Sequence, residues 1–292
     1  MQVATTIPMG KRQIDCKRHH PATRRVIRMG MAVLWLIFSF CMTIAAPVRA
    51  SDTVVPLSAF NPGERLTFVL KWTIIPAGEA ILEVLPLEHM AGRNTYHFVL
   101  TARSNAFVDA FYMVRDRIDA WAETNLNHSL LYRKKQHEGN SRRDITVSFD
   151  WDEMTAQYIN RGNKGHEARK PIPISTDTFD PLSIFYWSRS IDLAAQNRIQ
   201  RPVTDGKTHI MGIADIMRKE TITVPAGTFE TFLIEPDLSH VGGVFEKSPD
   251  ANIQLWVTTD HRHLPVKLAS KVVVGRFTGE LVSMAGIAPP GN

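Results

Sequence analysis

The sequence predicts a mainly β protein, an antiparallel and strongly curved sheet or open half-barrel wrapped around one or two short helices. Three observations carry that expectation. From Asn61 onward the dominant hydrophobic period is two, as in half-buried strands. Tight turn sequences separate the periodic stretches, and strands joined so closely run antiparallel. One helical stretch, opening at Asp180-Pro181, is apolar on nearly every side, which a flat sheet cannot cover and a curved one can.

The first fifty residues stand apart from this body. Arg24, Arg25 and Arg28 precede an apolar run from Met31 to Ala46, followed by Pro47 and the small-x-small series Val48-Arg49-Ala50. That order is a cleaved signal peptide, 1–50, and the mature chain is expected to begin near Ser51 in the periplasm. The run is short of the roughly 20 residues of a spanning helix, so the protein is not expected to be retained in the membrane. Thr23-Arg24-Arg25 resembles a twin-arginine signal, but Ile27 and Arg28 depart from it and favour ordinary export. Phe40 before Cys41 argues against a lipoprotein. Residues 1–50 hold eight Lys/Arg and one acid; the remainder carries 26 basic and 28 acidic groups. The basic excess is therefore export chemistry, and nucleic acid is excluded as a partner. Both cysteines, Cys16 and Cys41, also fall there, which leaves residues 51–292 without thiol nucleophiles or cysteine metal sites.

Residues 51–292 are expected to form a single β-rich domain, or two packed sub-units joined near 161–179. Leu66, Phe68, Leu70 and Trp72 alternate with more polar neighbours, as do Tyr96 to Ala102 and Ile145 to Trp151. Further strands are expected at 207–213, 217–224, 229–235, 252–258, 264–274 and 276–282. Asp205-Gly206, Glu138-Gly139-Asn140 and Arg161-Gly162-Asn163 supply turn residues tolerant of positive φ. Ile75-Pro76-Ala77-Gly78 and Val224-Pro225-Ala226-Gly227 are each expected to close a bulged hairpin, one good turn used twice. The stretch 161–179 looks too poor in hydrophobics for a core element. Asp180 is a helix cap and Pro181 suits a first helical position, giving a helix over 181–193 with Phe185, Tyr186, Trp187, Ile191 and Leu193. A second helix is expected from Asn105 to Val114, with a stripe of Phe107, Val108, Phe111 and Tyr112.

These landmarks, taken in order, carry a resemblance. Asn61-Pro62-Gly63-Glu64-Arg65-Leu66, Ala77-Gly78, Asp180-Pro181-Leu182-Ser183 leading to Tyr186-Trp187-Ser188-Arg189, Pro225-Ala226-Gly227-Thr228-Phe229, Trp256-Val257-Thr258-Thr259-Asp260, Leu264-Pro265-Val266 and Gly275 together resemble the exported bacterial family called domain of unknown function 3108. The resemblance implies an envelope protein rich in antiparallel sheet. By analogy of fold alone it is also similar to the periplasmic half-barrels that carry lipids and lipoproteins.

Chemical motifs are sparse. His261 and His263, with Asp260, are the candidates for a metal, yet they lie where polar residues simply make a turn between strands. Ser183 lacks a nucleophile elbow. Asp116, Asp119 and Glu123 alternate with Arg115 and Arg117 and read as ion pairs along a strand rather than an acid pair. Arg133, Lys134, Lys135, Arg142 and Arg143 form a basic patch that reads as a solvated hairpin, or as a surface for lipid phosphates or anionic glycans. No cofactor and no metal is expected. The aromatic load is the remaining feature. It makes either an ordinary core or an apolar cavity for an acyl chain, lined by Phe68, Trp72, Phe185, Tyr186, Trp187, Arg189 and Trp256, with the tips of Tyr186, Trp187 and Arg189 at the mouth. The favoured reading is a non-enzymatic carrier of a lipid or acylated ligand, with an envelope protein as a further partner. A hydrolase of envelope glycans or lipids and an assembly scaffold are the alternatives.

Overall fold

A computed structural model of the chain describes residues 59–163, 165–237, 252–272 and 275–289; the segment read as a signal peptide lies outside them. Among the described residues, fifteen strands belong to one sheet. The first arm is β1 (Arg65–Trp72), β2 (Ile75–Met90), β3 (Arg93–Ser104), β4 (Arg115–Glu123), β5 (Ser129–Glu138), β6 (Ser141–Asp150), β7 (Thr155–Asn160), β8 (Glu167–Ala168) and β9 (Ile172–Pro173). The second is β10 (Arg198–Thr204), β11 (His209–Val224), β12 (Gly227–Pro236), β13 (Asn252–Thr258), β14 (Pro265–Val272) and β15 (Gly275–Ala285). Neighbours in sequence pair antiparallel within each arm, except that β8 and β9 both pair with β7, and β15 pairs with β1, so the last strand joins the two arms into a continuous sheet.

The sheet curls without closing, since β10 and β7–β9 remain at opposite ends of the strand order. Residues 174–180 bridge the gap. Ser129 N–H donates to the Thr178 carbonyl (3.2 Å), Phe179 N–H to Pro202 (3.0 Å), and Thr204 N–H to Phe179 (2.9 Å). Ile174 and Phe179 are buried, so this segment does contribute to the core, contrary to its composition: in extended chain two well-placed apolar side chains suffice.

The concave face of β3–β7 supplies Phe98, Ala120, Tyr132, Val147 and Tyr158 to the larger core, and Tyr186, Trp187, Ile191 and Leu193 fill it from the helix side. A second core gathers Leu66, Phe68, Leu233, Trp256, Leu264 and Leu281. The tip of the β11–β12 hairpin reaches it, with Ala226 N–H donating to the Leu281 carbonyl (3.0 Å).

Both helices are shorter than their patterns suggest. α1 (Ala106–Asp109) is a single turn capped by the Asn105 side chain, and the Phe107–Tyr112 stripe faces solvent instead of the core. α2 (Ser183–Arg189) starts where Asp180 Oδ1 accepts the N–H groups of Leu182 (2.8 Å) and Ser183 (2.9 Å). It stops early because the Ser188 and Ser190 hydroxyls donate to the Phe185 and Trp187 carbonyls (2.7 Å each) and the chain turns into a 3-10 segment, Leu193–Ala195.

The two Pro-Ala-Gly motifs serve different ends. Val224–Gly227 closes the β11–β12 hairpin, with Gly227 at φ 139°. Ile75–Gly78 is not a turn. The β1–β2 chain reverses at Thr73 (φ 58°), and Pro76-Ala77-Gly78 forms a bulge in β2 where a Cβ on Gly78 would collide with the Arg103 carbonyl. Residues 207–213 and 217–224 are likewise one strand, β11, with a bulge near Ile216 and Arg218.

Candidate functional site

α2 is held in the curl by a buried ion pair. Arg189, near the end of the helix, donates from Nη1 to Glu64 Oε1 (2.6 Å) and from Nη2 to Glu64 Oε2 (3.0 Å), with both side chains essentially inaccessible. The rest of the guanidinium is satisfied by the carbonyls of Ala59 (3.0 Å) and Arg262 (3.1 Å), and its plane lies over Phe60 and Tyr186. His263 closes the arrangement, its Nδ1 2.9 Å from the Arg189 carbonyl. One knot thus ties the segment before β1, the helix and the β13–β14 turn.

Beside the helix lies a cleft of about 460 Å³. Its walls are Ile184, Phe185, Trp187 and Ser188 on one side and the facing strands on the other, with Ile199 and Val203 of β10, Ile210 and Ala214 of β11, Ile234 of β12, and Ile253 and Leu255 of β13. The lining is overwhelmingly apolar. Gly212 keeps it open, since a Cβ there would press on Val203 and point toward Ile184. Arg201 also lines the cleft; its guanidinium sits 4.5 Å from the centre of the Trp187 ring, with Asp177 3.4 Å away. A volume of this size falls in the range of small-molecule pockets, about 300–1,000 Å³.

Of the seven residues the sequence suggested for a cavity, Phe185 and Trp187 line this cleft. Tyr186 is turned the other way, fully buried and stacked on Phe98 with 3.9 Å between ring centres. Arg189 is not at a mouth but locked to Glu64. Phe68 and Trp256 belong to the second core, where the Trp256 indole donates to Glu220 (2.7 Å). Trp72 points to neither core; it is 47% exposed and stacks on Phe277. Strand alternation shows which residues share a face, but the curl decides which stretch of that face meets the helix. Arg201 escaped notice because a single basic residue in a strand carries no motif.

The remaining chemical candidates are structurally occupied. Asp180 Oδ2 accepts the Ser129 hydroxyl (2.6 Å) while Oδ1 caps the helix, so both carboxylate oxygens are engaged in the fold. Burial pushes the Asp180 carboxyl up, against the pull of those hydrogen bonds. Burial would also raise Asp119, but hydrogen bonds from Arg117 and His97 outweigh it and hold the carboxyl below its usual range. His97 bridges Glu88 (2.6 Å) and Asp119 (2.9 Å) across the outside of β2–β4 and lies on the Trp121 ring. Asp260 is paired with Arg262, and among the described residues no three His, Cys, Asp or Glu side chains stand where they could hold a metal. Lys134 of the basic patch faces inward, its amine pushed down by burial against the opposing pull of Asp116 and Glu138.

The knot makes the fold sensitive to acid. Burial, reinforced by the charge of Arg189, lowers the His263 pKa despite its bond to the Arg189 carbonyl, and burial also lowers His128 and His209. A histidine kept neutral in the folded state binds fewer protons than in the unfolded chain below its ordinary pKa of about 6.5. Stability should therefore fall as pH drops through that value. Thermal melts between pH 7.5 and 5.5 should show a declining midpoint, and His263→Gln should flatten the decline. A midpoint that holds or rises over this window would contradict the burial of these rings.

The model of the family described as "Protein of unknown function (DUF3108)" matches residues 67–282, most of the chain, and the chain belongs to that family. No curated protein matches it. Among solved structures it is similar to a β-barrel-like protein of the domain of unknown function DUF1849 from Brucella abortus, with a TM-score of 0.51 and 8% identity over 76% of this chain and 96% of the other. It also matches a candidate lipoprotein from Parabacteroides distasonis, with a TM-score of 0.33 and 10% identity over 78% and 98% of the two chains. A candidate exported protein with a YmcC-like fold from Bacteroides fragilis matches with a TM-score of 0.29 and 8% identity over 77% and 96%.

Proposed function

We propose that this member of the DUF3108 family is an exported, non-enzymatic carrier that holds the acyl chain of a lipid or acylated molecule in the cleft beside α2. The observation that carries the reading is the cleft itself, apolar along the helix and four strands, with Arg201, Asp205 and Asp237 as the charged groups at its wall. The ordered basic, apolar and small-residue series of residues 24–50 supports export to the periplasm.

Magnitudes say what such a site needs. Each methylene taken from water is worth about 0.8 kcal/mol, so a twelve-carbon chain gains on the order of 10 kcal/mol. Lost translational and rotational freedom costs roughly 4–15 kcal/mol, which consumes most of that gain. An acidic head group meeting Arg201 adds about 1.5–3 kcal/mol through a charge-assisted hydrogen bond. The reading therefore expects acidic or phosphorylated amphiphiles to bind better than neutral ones of equal chain length.

Titration of the purified chain from residue 51 with a fluorescent fatty acid tests it. Ser188→Trp, which fills the cleft from the helix, should weaken binding at least tenfold. Arg201→Gln should weaken the fatty acid by about 10- to 100-fold and a fatty alcohol far less. Binding unchanged in Ser188→Trp would place the ligand elsewhere and overturn the reading.

A further inference from the structure

The end of the sheet that carries the β1–β2 turn exposes an unusual amount of apolar surface. Ile74 at the turn is 83% exposed, Phe111 77% and Phe107 60%, with Tyr112 and Ile75 about half exposed. These residues are neighbours. Asn105, which caps α1, donates its N–H to the Ala77 carbonyl (2.9 Å) and its side-chain amide to Pro76 (2.7 Å), so α1 is fastened beside the start of β2. Phe107 and Phe111 meet edge to face, and a Cβ on Gly139 would touch the Tyr112 ring, which places the β5–β6 turn against the same patch. Scattered apolar residues are normal on a surface; a contiguous group of large ones marks an interaction site.

Charge identifies the partner. At the same end Arg142, Arg161 and Arg276 are exposed and make no ion pair among the described residues. Nearby acids lie against cations of their own. Asp109 pairs with Arg115 and Glu79 with Arg103, while the Asp116 and Glu138 carboxylates share the Gln136 amide and face the charges of Lys134 and Arg143. The patch therefore combines insertable aromatic and aliphatic side chains with a surplus of cations around them. That is the pattern of a surface that seats its apolar tips at the head-group level of a bilayer while its arginines meet lipid phosphates. We infer that this rim docks the protein on an anionic lipid bilayer. The register puts the cleft at the same end: Ile253 of its wall pairs with Ser270, Ser270 with Phe277, and Phe277 with Trp72. Docking of the rim needs no ligand in the cleft.

Vesicle co-sedimentation tests it, using the chain from residue 51, which contains both cores and all the described strands. Vesicles with 30% phosphatidylglycerol at low salt should bring the protein down, and pure phosphatidylcholine, or high salt, should not. Phe107→Ser/Phe111→Ser and Arg142→Gln/Arg276→Gln should each lower partitioning at least tenfold with an unchanged melting midpoint. Leu87→Ser/Met217→Ser, which alters exposed apolar residues elsewhere, should leave it as it is. No sedimentation with anionic vesicles, or rim variants that bind like the wild type, would overturn the inference. So would a wild-type dimer that the rim substitutions convert to monomer, which would assign the patch to self-association. Vesicle binding by a protein that fails to take up fatty acid would sink the carrier reading alone.

Discussion

Replacing Arg189 with Met should destabilise the fold by about 3–5 kcal/mol, as should Glu64→Leu. Each change leaves one buried charge facing carbonyls or a carboxylate without its partner, and stranding a charge costs far more than the pair contributes. The side chains are enclosed, so water cannot move in to compensate. Joining the two changes separates the causes. The double variant Glu64→Leu/Arg189→Met removes both charges, and it should be clearly more stable than the sum of the single losses predicts. Urea unfolding of the four proteins gives the coupling directly. Additive losses would mean that the two groups do not depend on each other and that the knot is not what seats the helix.

Tyr186→Ala should cost about 3–5 kcal/mol, as deletion of a fully buried aromatic does. The ring stacks on Phe98 and meets Phe60 edge to face, so its loss opens a void against two other aromatics. Phe185→Ala, one residue earlier, should cost less than half as much, because that ring is only partly buried and borders the cleft. Thermal or urea melts of the two variants at equal pH check the contrast. Equal losses would mean that the helix has no open side, and with it that the cleft is filled in solution.

Much of the architecture could be read from residues alone. Alternation located the strands because antiparallel pairs with one buried face force a period of two, and the apolar surround of 180–193 required a curved cover. The carboxylate of Asp180 capped its helix as expected. What alternation cannot register is curvature. Phe68, Trp72 and Trp256 sit in good strand patterns, yet one long sheet divides its concave side between two cores and a rim, and that division depends on twist accumulated over many strands. Pro76-Ala77-Gly78 misled for a local reason: a bulge and a hairpin both ask for a glycine, and only the neighbouring Thr73 turn tells them apart. Arg189 shows the limit most plainly. An arginine among aromatics at a helix end reads as a polar tip, but its partner Glu64 lies 125 positions away in the chain, and no spacing rule connects them.

An apolar cleft beside the helix implies contents, and contents can be weighed. The most direct measurement is solvent extraction of the protein purified from cells that express the full chain, followed by lipid mass spectrometry, with Ser188→Trp prepared in parallel. A carrier should bring with it acyl-containing molecules at a substantial fraction of one per chain, enriched in acidic species, and the cleft-filled variant should come through largely empty. A wild-type protein as clean as the variant, folded and with the same melting midpoint, would contradict the account.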